Sequence, residues 1–401
     1  MNHNKSLKII ESVFLSLAAL GIYNGIIQFA VYPALNLAMG PESFGAVLTL
    51  LSVMAVAPGS AGVGVNYARM AISPKYSSSN GDYNAYLLIC AVVCALISTA
   101  ALFLMKSADA WALILFPAVT VAAMLRYYSD VEFRLHLNYR RYFVFYMLLS
   151  LGSLAGLTLF KLTGRWELTI LLGESTALTY VFIKGSIFRR PFFRRSENAR
   201  AVFGSCTSLV LAQLLSTFIL NADRMLVNAF MGGAAVTVFY VASLLGKATA
   251  LLTGPLNGVI VGYLARYEKP VTRKLFALCA AGSLAAGLLL LLVFIPLSRF
   301  AVGLLYPDIL SGASPYFLLA NGGQILYFIS NMMLVVALRF MRERIQLYIN
   351  AGYAALYFAL CIPALASGSM AAFVTAVITA NAVRLAAVIV IGTVSAKTRA
   401  C

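Results

Sequence analysis

The sequence predicts an all-α polytopic membrane protein of about twelve transmembrane helices, arranged as two parallel six-helix lobes. Three observations predict it. Of 401 residues, 62% are hydrophobic and 11% charged, whereas soluble domains carry roughly 25% charged residues; so little charge cannot cover a water-facing surface. The apolar residues gather into runs of about twenty, the length that crosses ~30 Å of hydrocarbon. The lysines and arginines fall almost wholly in alternate connections between those runs.

Apolar runs bounded by charge or turn residues place the spans of the first half at 12–37, 43–68, 84–105, 110–128, 143–160 and 168–187. Those of the second half fall at 202–230, 235–262, 275–297, 315–338, 345–365 and 370–393. The polar segment Met1 to Glu11 leads into the first span without a small-residue cleavage site, so no cleaved signal is expected. Even-numbered connections and the two termini hold 23 Lys and Arg residues, from Lys5 and Lys8 through Arg126, Arg134, Arg140 and Arg141 to Lys397 and Arg399. The odd connections hold 4, namely Lys106, Lys161, Arg165 and Arg299. That asymmetry puts both termini in the cytoplasm. It also explains the net charge of +17 as topology rather than as a nucleic-acid footprint, so no nucleic-acid partner is expected.

The longest polar stretch, Arg189 to Arg200, falls near the middle of the chain. It reads as a linker at 189–200 between an N-terminal lobe, 1–188, and a C-terminal lobe, 201–401; a stop-transfer anchor is the plainer reading, and the two are compatible. Each lobe begins and ends on one side, so repeats would be parallel ones about an axis along the membrane normal. Asn36-Leu-Ala-Met39-Gly40 recurs as Asn228-Ala-Phe-Met231-Gly232 at the outer end of each lobe's first span. The second span of each lobe is interrupted, at Pro58-Gly59 and at Gly254-Pro255, with Arg69 and Arg266 eleven residues beyond the prolines. Paired Gly/Pro breaks in corresponding places are a pointer to a transport site, against the alternative that Gly and Pro are simply frequent in membrane helices.

Five ionisable residues fall inside the spans: Glu174, Asp223, Arg224, Lys247 and Arg384. Each costs about 2.5–3.5 kcal/mol at a helix centre on insertion scales, so they are expected to face protein or water. Asp223 and Arg224 lie ~12–14 Å below the outer turn at the helical rise per residue, and Lys247 and Arg384 lie near mid-membrane. Two readings stand side by side: interhelical ion pairs that serve the fold, or cationic groups lining a cavity. Asn24 and Gln28, with Tyr23, either line the same cavity or hydrogen-bond between helices. A cavity of cations and amides suits an anion bearing hydroxyls, such as a phosphate-linked sugar. Cys90 and Cys94 share a helix face but lack the companions of a metal site, and read as small apolar fillers. No metal and no cofactor are expected.

The stretch Pro33 to Gly45, with Met39-Gly40-Pro41-Glu42-Ser-Phe44-Gly45 at its end, resembles the Gly-Pro-Glu-x-Phe-Gly signature after the first span of O-antigen-type polysaccharide flippases. Asn221-Ala-Asp223-Arg224 with Phe239-Tyr240-Val-Ala242 is similar to their second-lobe signature. These proteins belong to the multidrug/oligosaccharidyl-lipid/polysaccharide exporter superfamily. The resemblance implies a MATE-like pair of six-helix bundles that moves an undecaprenyl-pyrophosphate-linked oligosaccharide, an O-antigen or similar repeat unit, across the bacterial inner membrane by alternating access. It implies that Arg224 meets the pyrophosphate. It also implies membrane lipid, a glycan polymerase and chain-length proteins as partners. Unlike the peptidoglycan lipid flippases of that superfamily, the chain has no thirteenth and fourteenth span. Unlike many of its cation-coupled drug pumps, it has no acid in the first span.

An enzyme is not expected. A glycan polymerase or ligase needs reactive groups in a long outer loop, but the largest outer connection, about Leu297 to Ser314, holds only Arg299 and Asp308. Asp130-Val-Glu132, the one acidic motif a glycosyltransferase metal could use, reads as ordinary loop charge, and His3 and His136 have no partner spacing. The competing function is a cation-coupled multidrug exporter of the same superfamily.

Overall fold

The computed structural model describes residues 3–72, 77–249, 272–337, 340–341 and 343–396. Their regular elements are helices. α1 (His3–Ile26) runs through a π-helical turn, Ile27–Val31, into α2 (Tyr32–Met54); a second π-turn, Ala55–Gly59, leads to α3 (Ser60–Ile72). There follow α4 (Asn80–Leu104), α5 (Ala112–Leu135), α6 (Tyr139–Thr163), α7 (Glu167–Lys184), α8 (Ala199–Met231) and α9 (Gly233–Ala242). The set closes with α10 (Arg273–Leu305), α11 (Phe317–Ala337), α12 (Glu343–Ala366) and α13 (Met370–Ser395).

Among the described residues these helices follow the twelve predicted spans, the eighth only as far as residue 249. α2 bends at Gly40, whose backbone is non-helical, and that bend divides the first pass from the second. Among the described residues, nine helical segments are long and apolar enough to cross a membrane, the continuous stretch Phe14–Ile72 counting as one. α7 carries Glu167, Glu174 and Lys184 within 18 residues, and Gly233–Ala242 is shorter. The second Gly/Pro break, Gly254-Pro255, lies outside the described residues, as do Lys75, Arg266, Lys269, Arg339, Arg342, Lys397 and Arg399. The first break, Pro58-Gly59, is the end of the π-turn Ala55–Gly59.

Large apolar side chains are exposed in helical stripes, as on α4 at Leu88, Ile89, Val92, Val93 and Leu96. With every backbone group of a helix bonded internally, such a face is at home in lipid. The protein is a multi-pass membrane protein.

The chain clusters into two compact units, Met1–Met225 and Leu226–Cys401, with the boundary inside α8. In the first unit, α6 and α7 approach closely along a seam of small residues. A Cβ on Gly152 would stand 2.8 Å from the Gly173 Cα, and one on Gly156 would stand 2.6 Å from the Thr169 Cα. Gly152-Ser-Leu-Ala-Gly156 is the small-xxx-small spacing that lets membrane helices pack backbone to backbone.

The basic stretch after α7 is tied to the start of α4. Ser79 caps α4, with Asp82 completing a capping box. The Asp82 carboxylate also accepts from the Ser196 N–H (2.8 Å) and the Ser196 hydroxyl (2.7 Å). Asn80 donates to the carbonyls of Ser186 and Arg189, and Asn84 to that of Phe192. The backbone of this segment is therefore held down while Arg189, Arg190, Phe192, Phe193, Arg194 and Arg195 are exposed.

One reading of the sequence needs correction. The fourth span does not end near residue 128: α5 continues to Leu135, and Arg126, Asp130 and Glu132 are buried on it. Arg126 is not a cation of a cytoplasmic connection, and Asp130-Val-Glu132 is not loop charge. The helix carries these charges inward because each is satisfied there. Arg126 binds Glu174 of α7, Tyr146 of α6 donates to both Asp130 oxygens (3.2 and 3.1 Å), and Glu132 accepts from the Ser186 and Ile187 N–H groups.

In the second unit, Asn321 of α11 is wholly buried and organises the break after α9. Its Oδ1 accepts the Gly246 N–H at 2.7 Å, and its Nδ2 reaches the carbonyls of Ala242 (3.0 Å) and Phe317 (2.8 Å) and the Ser298 hydroxyl (3.3 Å). Helix resumes over residues 244–249. The amide thus supplies the partners that the interrupted helix cannot supply itself.

Candidate functional site

The second unit buries a guanidinium among three helices. Arg384 of α13 is 4% exposed. Its Nη2 donates to Asn331 Oδ1 of α11 (2.8 Å) and to Asn350 Oδ1 of α12 (3.1 Å). The guanidinium carbon lies 4.5 Å from the Tyr327 ring centroid and 4.9 Å from that of Tyr353, contacts worth about 0.5–2 kcal/mol each. Nearby, Tyr353 donates to Asn381 Oδ1 (2.9 Å), whose Nδ2 in turn donates to the Gly323 carbonyl (3.0 Å). No carboxylate among the described residues pairs with Arg384. Its Nε and Nη1 are buried without a hydrogen-bond partner.

That arrangement is unusual in its energetics. A buried charge normally finds an opposite one, because leaving it alone in a low-dielectric interior is costly. Here amide oxygens and ring faces stabilise the cation but do not neutralise it, and part of its donor set stands idle. Such a group attracts an anion. A guanidinium also matches phosphate or carboxylate oxygens better than an ammonium does, through its planar array of donors.

The other residues singled out from sequence are dispersed. Lys247 is half-buried in the resumed helix, its Nζ 5.4 Å from the Phe239 ring centroid. Arg384 draws its partners from α11 and α12, so the structure does not join these two cations. Asp223 is buried, and its Oδ1 accepts the Arg224 backbone N–H at 2.8 Å; the Arg224 side chain is half-buried. Asn24 turns its amide onto its own helix, donating to the Leu20 carbonyl at 2.8 Å. Gln28 lies half-buried in the π-turn Ile27–Val31, the kind of widened turn that recurs at functional sites.

Glu174 is an ion-pair partner, and its partner is Arg126 rather than any of the three cations expected in the spans. Arg126 Nε and Nη2 meet Glu174 Oε2 and Oε1 at 2.9 and 3.1 Å, with the side chains 3% and 0% exposed. Tyr127 lies under the guanidinium at 3.6 Å. In the first unit Arg126 and Asp130 read in the sequence as charges of a connection, and Tyr146 is not singled out there; neither are Tyr327, Asn331, Asn350 and Tyr353 of the second unit. The last four carried a signal: polar and aromatic residues three or four apart in two successive spans, matching Asn381 and Arg384 three apart in the next. No group of three or more His, Cys, Asp or Glu among the described residues could hold a metal.

No family model matches the sequence, and no curated protein matches it. Solved structures do match the fold. An inward-facing multidrug-resistance MATE transporter of the MOP superfamily superposes with a TM-score of 0.67 at 12% identity, over 94% of this chain and 93% of that one. The lipid II flippase MurJ in an inward closed conformation gives 0.67 at 11% identity, over 96% and 86%. The Vibrio cholerae MATE transporter VcmN in its bent form gives 0.56 at 14% identity, over 97% and 98%. At these identities the likeness is one of fold, that of the MATE transporters.

Proposed function

We propose that this protein is a flippase that moves an undecaprenyl-pyrophosphate-linked oligosaccharide from the cytoplasmic to the periplasmic leaflet of the bacterial inner membrane by alternating access. The observation that carries the reading is the Arg384 guanidinium, buried with no carboxylate paired to it among the described residues and with Nε and Nη1 unpartnered. A fixed buried cation favours phosphate and opposes the cationic compounds typical of drug pumps. The fold is shared with a lipid II flippase as well as with multidrug transporters, so a lipid-linked cargo is within its range. Arg224 joins the reading through its motif, Lys247 through its depth, and Asp223, Asn24 and Gln28 as polar neighbours along the path. No covalent chemistry is assigned. Both termini are taken to face the cytoplasm, from the distribution of Lys and Arg.

Export of surface glycan tests this reading, with membrane abundance measured beside it for every variant. Arg384→Ala and Arg224→Ala lower export at unchanged abundance, and Arg384→Lys keeps part of it. Full export at full abundance in both alanine variants sinks the cationic mechanism. The multidrug transporters among the structures of like fold sustain one other reading, a cation-coupled exporter. It predicts the reverse pattern: altered tolerance to cationic drugs in the same variants, with glycan export untouched.

A further inference from the structure

A cleft of about 390 Å³ opens in the first unit where α2, α4, α5 and α7 meet their connections. It lies at the first residues of α5 and α7, the ends that the Lys/Arg distribution puts outside, whereas Arg126 and Asp130 fall in the second half of α5. Its volume is that of a small-molecule site. Val47, Leu50 and Leu102 give it an apolar floor, and Ser43, Lys106, Arg165 and Glu167 give it a polar rim.

Glu167 is the feature that points to a ligand. Its side chain is 3% exposed and lines the cleft, yet Oε2 is buried with no hydrogen-bond partner. A buried carboxylate oxygen left without a donor is costly, and the adjacent cleft is the place from which a donor can come. The other acid, Asp109, is already engaged. It accepts from Arg165 Nη1 (2.5 Å) and from the Trp111 and Ala112 N–H groups (both 2.9 Å). The available polar groups are thus one acceptor, Glu167, and exposed donors at Lys106 and Ser43. Two acids and two bases leave the lining without net charge, which favours a neutral ligand over an ion. Spaced donors and acceptors above an apolar floor match a sugar, whose hydroxyls ring a face of C–H groups.

The geometry points to this cleft as a saccharide-binding site, with Glu167 Oε2 accepting a sugar hydroxyl. The inference deepens the flippase reading by giving the glycan portion of the cargo a place on the outer side, and to that extent rests on it. The chain has two tryptophans, and both report on the cleft: Trp166 lines it, and Trp111 begins the α5 end that borders it.

The test is a titration of the purified full chain in lipid nanodiscs with lactose, cellobiose and diacetylchitobiose, read by tryptophan emission. Tetramethylammonium chloride serves as the cationic comparison. A saturable change with at least one disaccharide below ~50 mM, where affinities of a few kcal/mol register, supports the site. Glu167→Gln, isosteric and keeping the fold, should weaken that response about tenfold or more. Lys106→Gln, on an exposed side chain, should weaken it less. Three results overturn the proposal: no response to any disaccharide, a saturable response to tetramethylammonium alone, or a response unchanged by both substitutions. Free disaccharides carry neither lipid nor phosphate. Saturable binding alongside a failed export test therefore leaves the cleft standing without the flippase, and intact export with no binding does the reverse.

Discussion

Gly40 and Gly232 hold the same backbone conformation, φ 78°, ψ 165° and φ 82°, ψ 178°. Both sit where the first span of a predicted lobe turns into the second, four residues after Asn36 and Asn228. The region is open essentially to glycine alone. A recurrence visible as matching letters in the sequence is thus also a recurrence of backbone geometry.

Gly40→Ala and Gly232→Ala should each destabilise the protein by about 1–3 kcal/mol, the cost of forcing a Cβ into that region. Gly204→Ala is the control, since its Cβ meets nothing within 4 Å and its backbone is helical; it should be neutral or stabilising by up to ~1 kcal/mol. Thermal unfolding in detergent measures all three. Equal effects at the three positions would remove the conformational explanation.

Breaking the Arg126–Glu174 pair from one side should be severe. Glu174→Ala or Arg126→Ala leaves a buried uncompensated charge, at about 3–5 kcal/mol. The double change Arg126→Met with Glu174→Leu should recover much of that loss, because two apolar side chains of similar volume leave no charge behind. Membrane abundance and unfolding temperature together complete the cycle, and additive losses would count against direct pairing.

Asn321→Ala should loosen the break in the eighth pass. It strands the Gly246 N–H, and stranded buried groups cost about 1–3 kcal/mol each. Hydrogen exchange at the Gly246 amide should accelerate well beyond that in α13, which lacks a hydrogen bond to this side chain. Unchanged protection at Gly246 would show that another acceptor serves it.

Low pH should release the Asp109–Arg165 tie at the cleft. The Arg165 hydrogen bond holds the Asp109 carboxyl below its ordinary range. A folded-state pKa below the unfolded one, near 3.9, adds stability at pH above about 4 and loses it as pH falls through the folded value. The pair is solvent-exposed, so the effect is small, about 0.2–1 kcal/mol. D109N should be less stable than the parent by a constant margin above pH ~5, and the margin should shrink below pH ~4. A margin independent of pH would show that the Asp109 charge is not what the substitution removes.

Much of the architecture is legible in the sequence because membrane helices advertise themselves by length and apolarity. The charged residues are legible only as anomalies. Arg384 stands out as a cation in an apolar run, and its burial is implied by that; its amide and tyrosine partners lie 31 to 57 positions away, on other helices, where no local pattern connects them. Arg126 misleads for a related reason. A run that meets Arg126, Asp130, Glu132 and Arg134 looks finished, yet α5 continues because Glu174, 48 residues on, and Tyr146, 16 residues from Asp130, take up the charge. Hydropathy sees the cost of a buried charge but not the partner that offsets it.

The π-turns at Ile27–Val31 and Ala55–Gly59 set where the gene can lose a codon. A π-turn holds one residue more than an α-helical turn and keeps the helix on either side in phase. Each is thus a stored insertion. Loss of one codon there converts the turn to ordinary helix without rotating the helix beyond it, whereas the same loss inside α4 or α10 swings every later side chain on that helix by about 100°. The first two passes therefore tolerate a change of length at two places, the turn that carries Gln28 and the turn that carries Pro58 and Gly59.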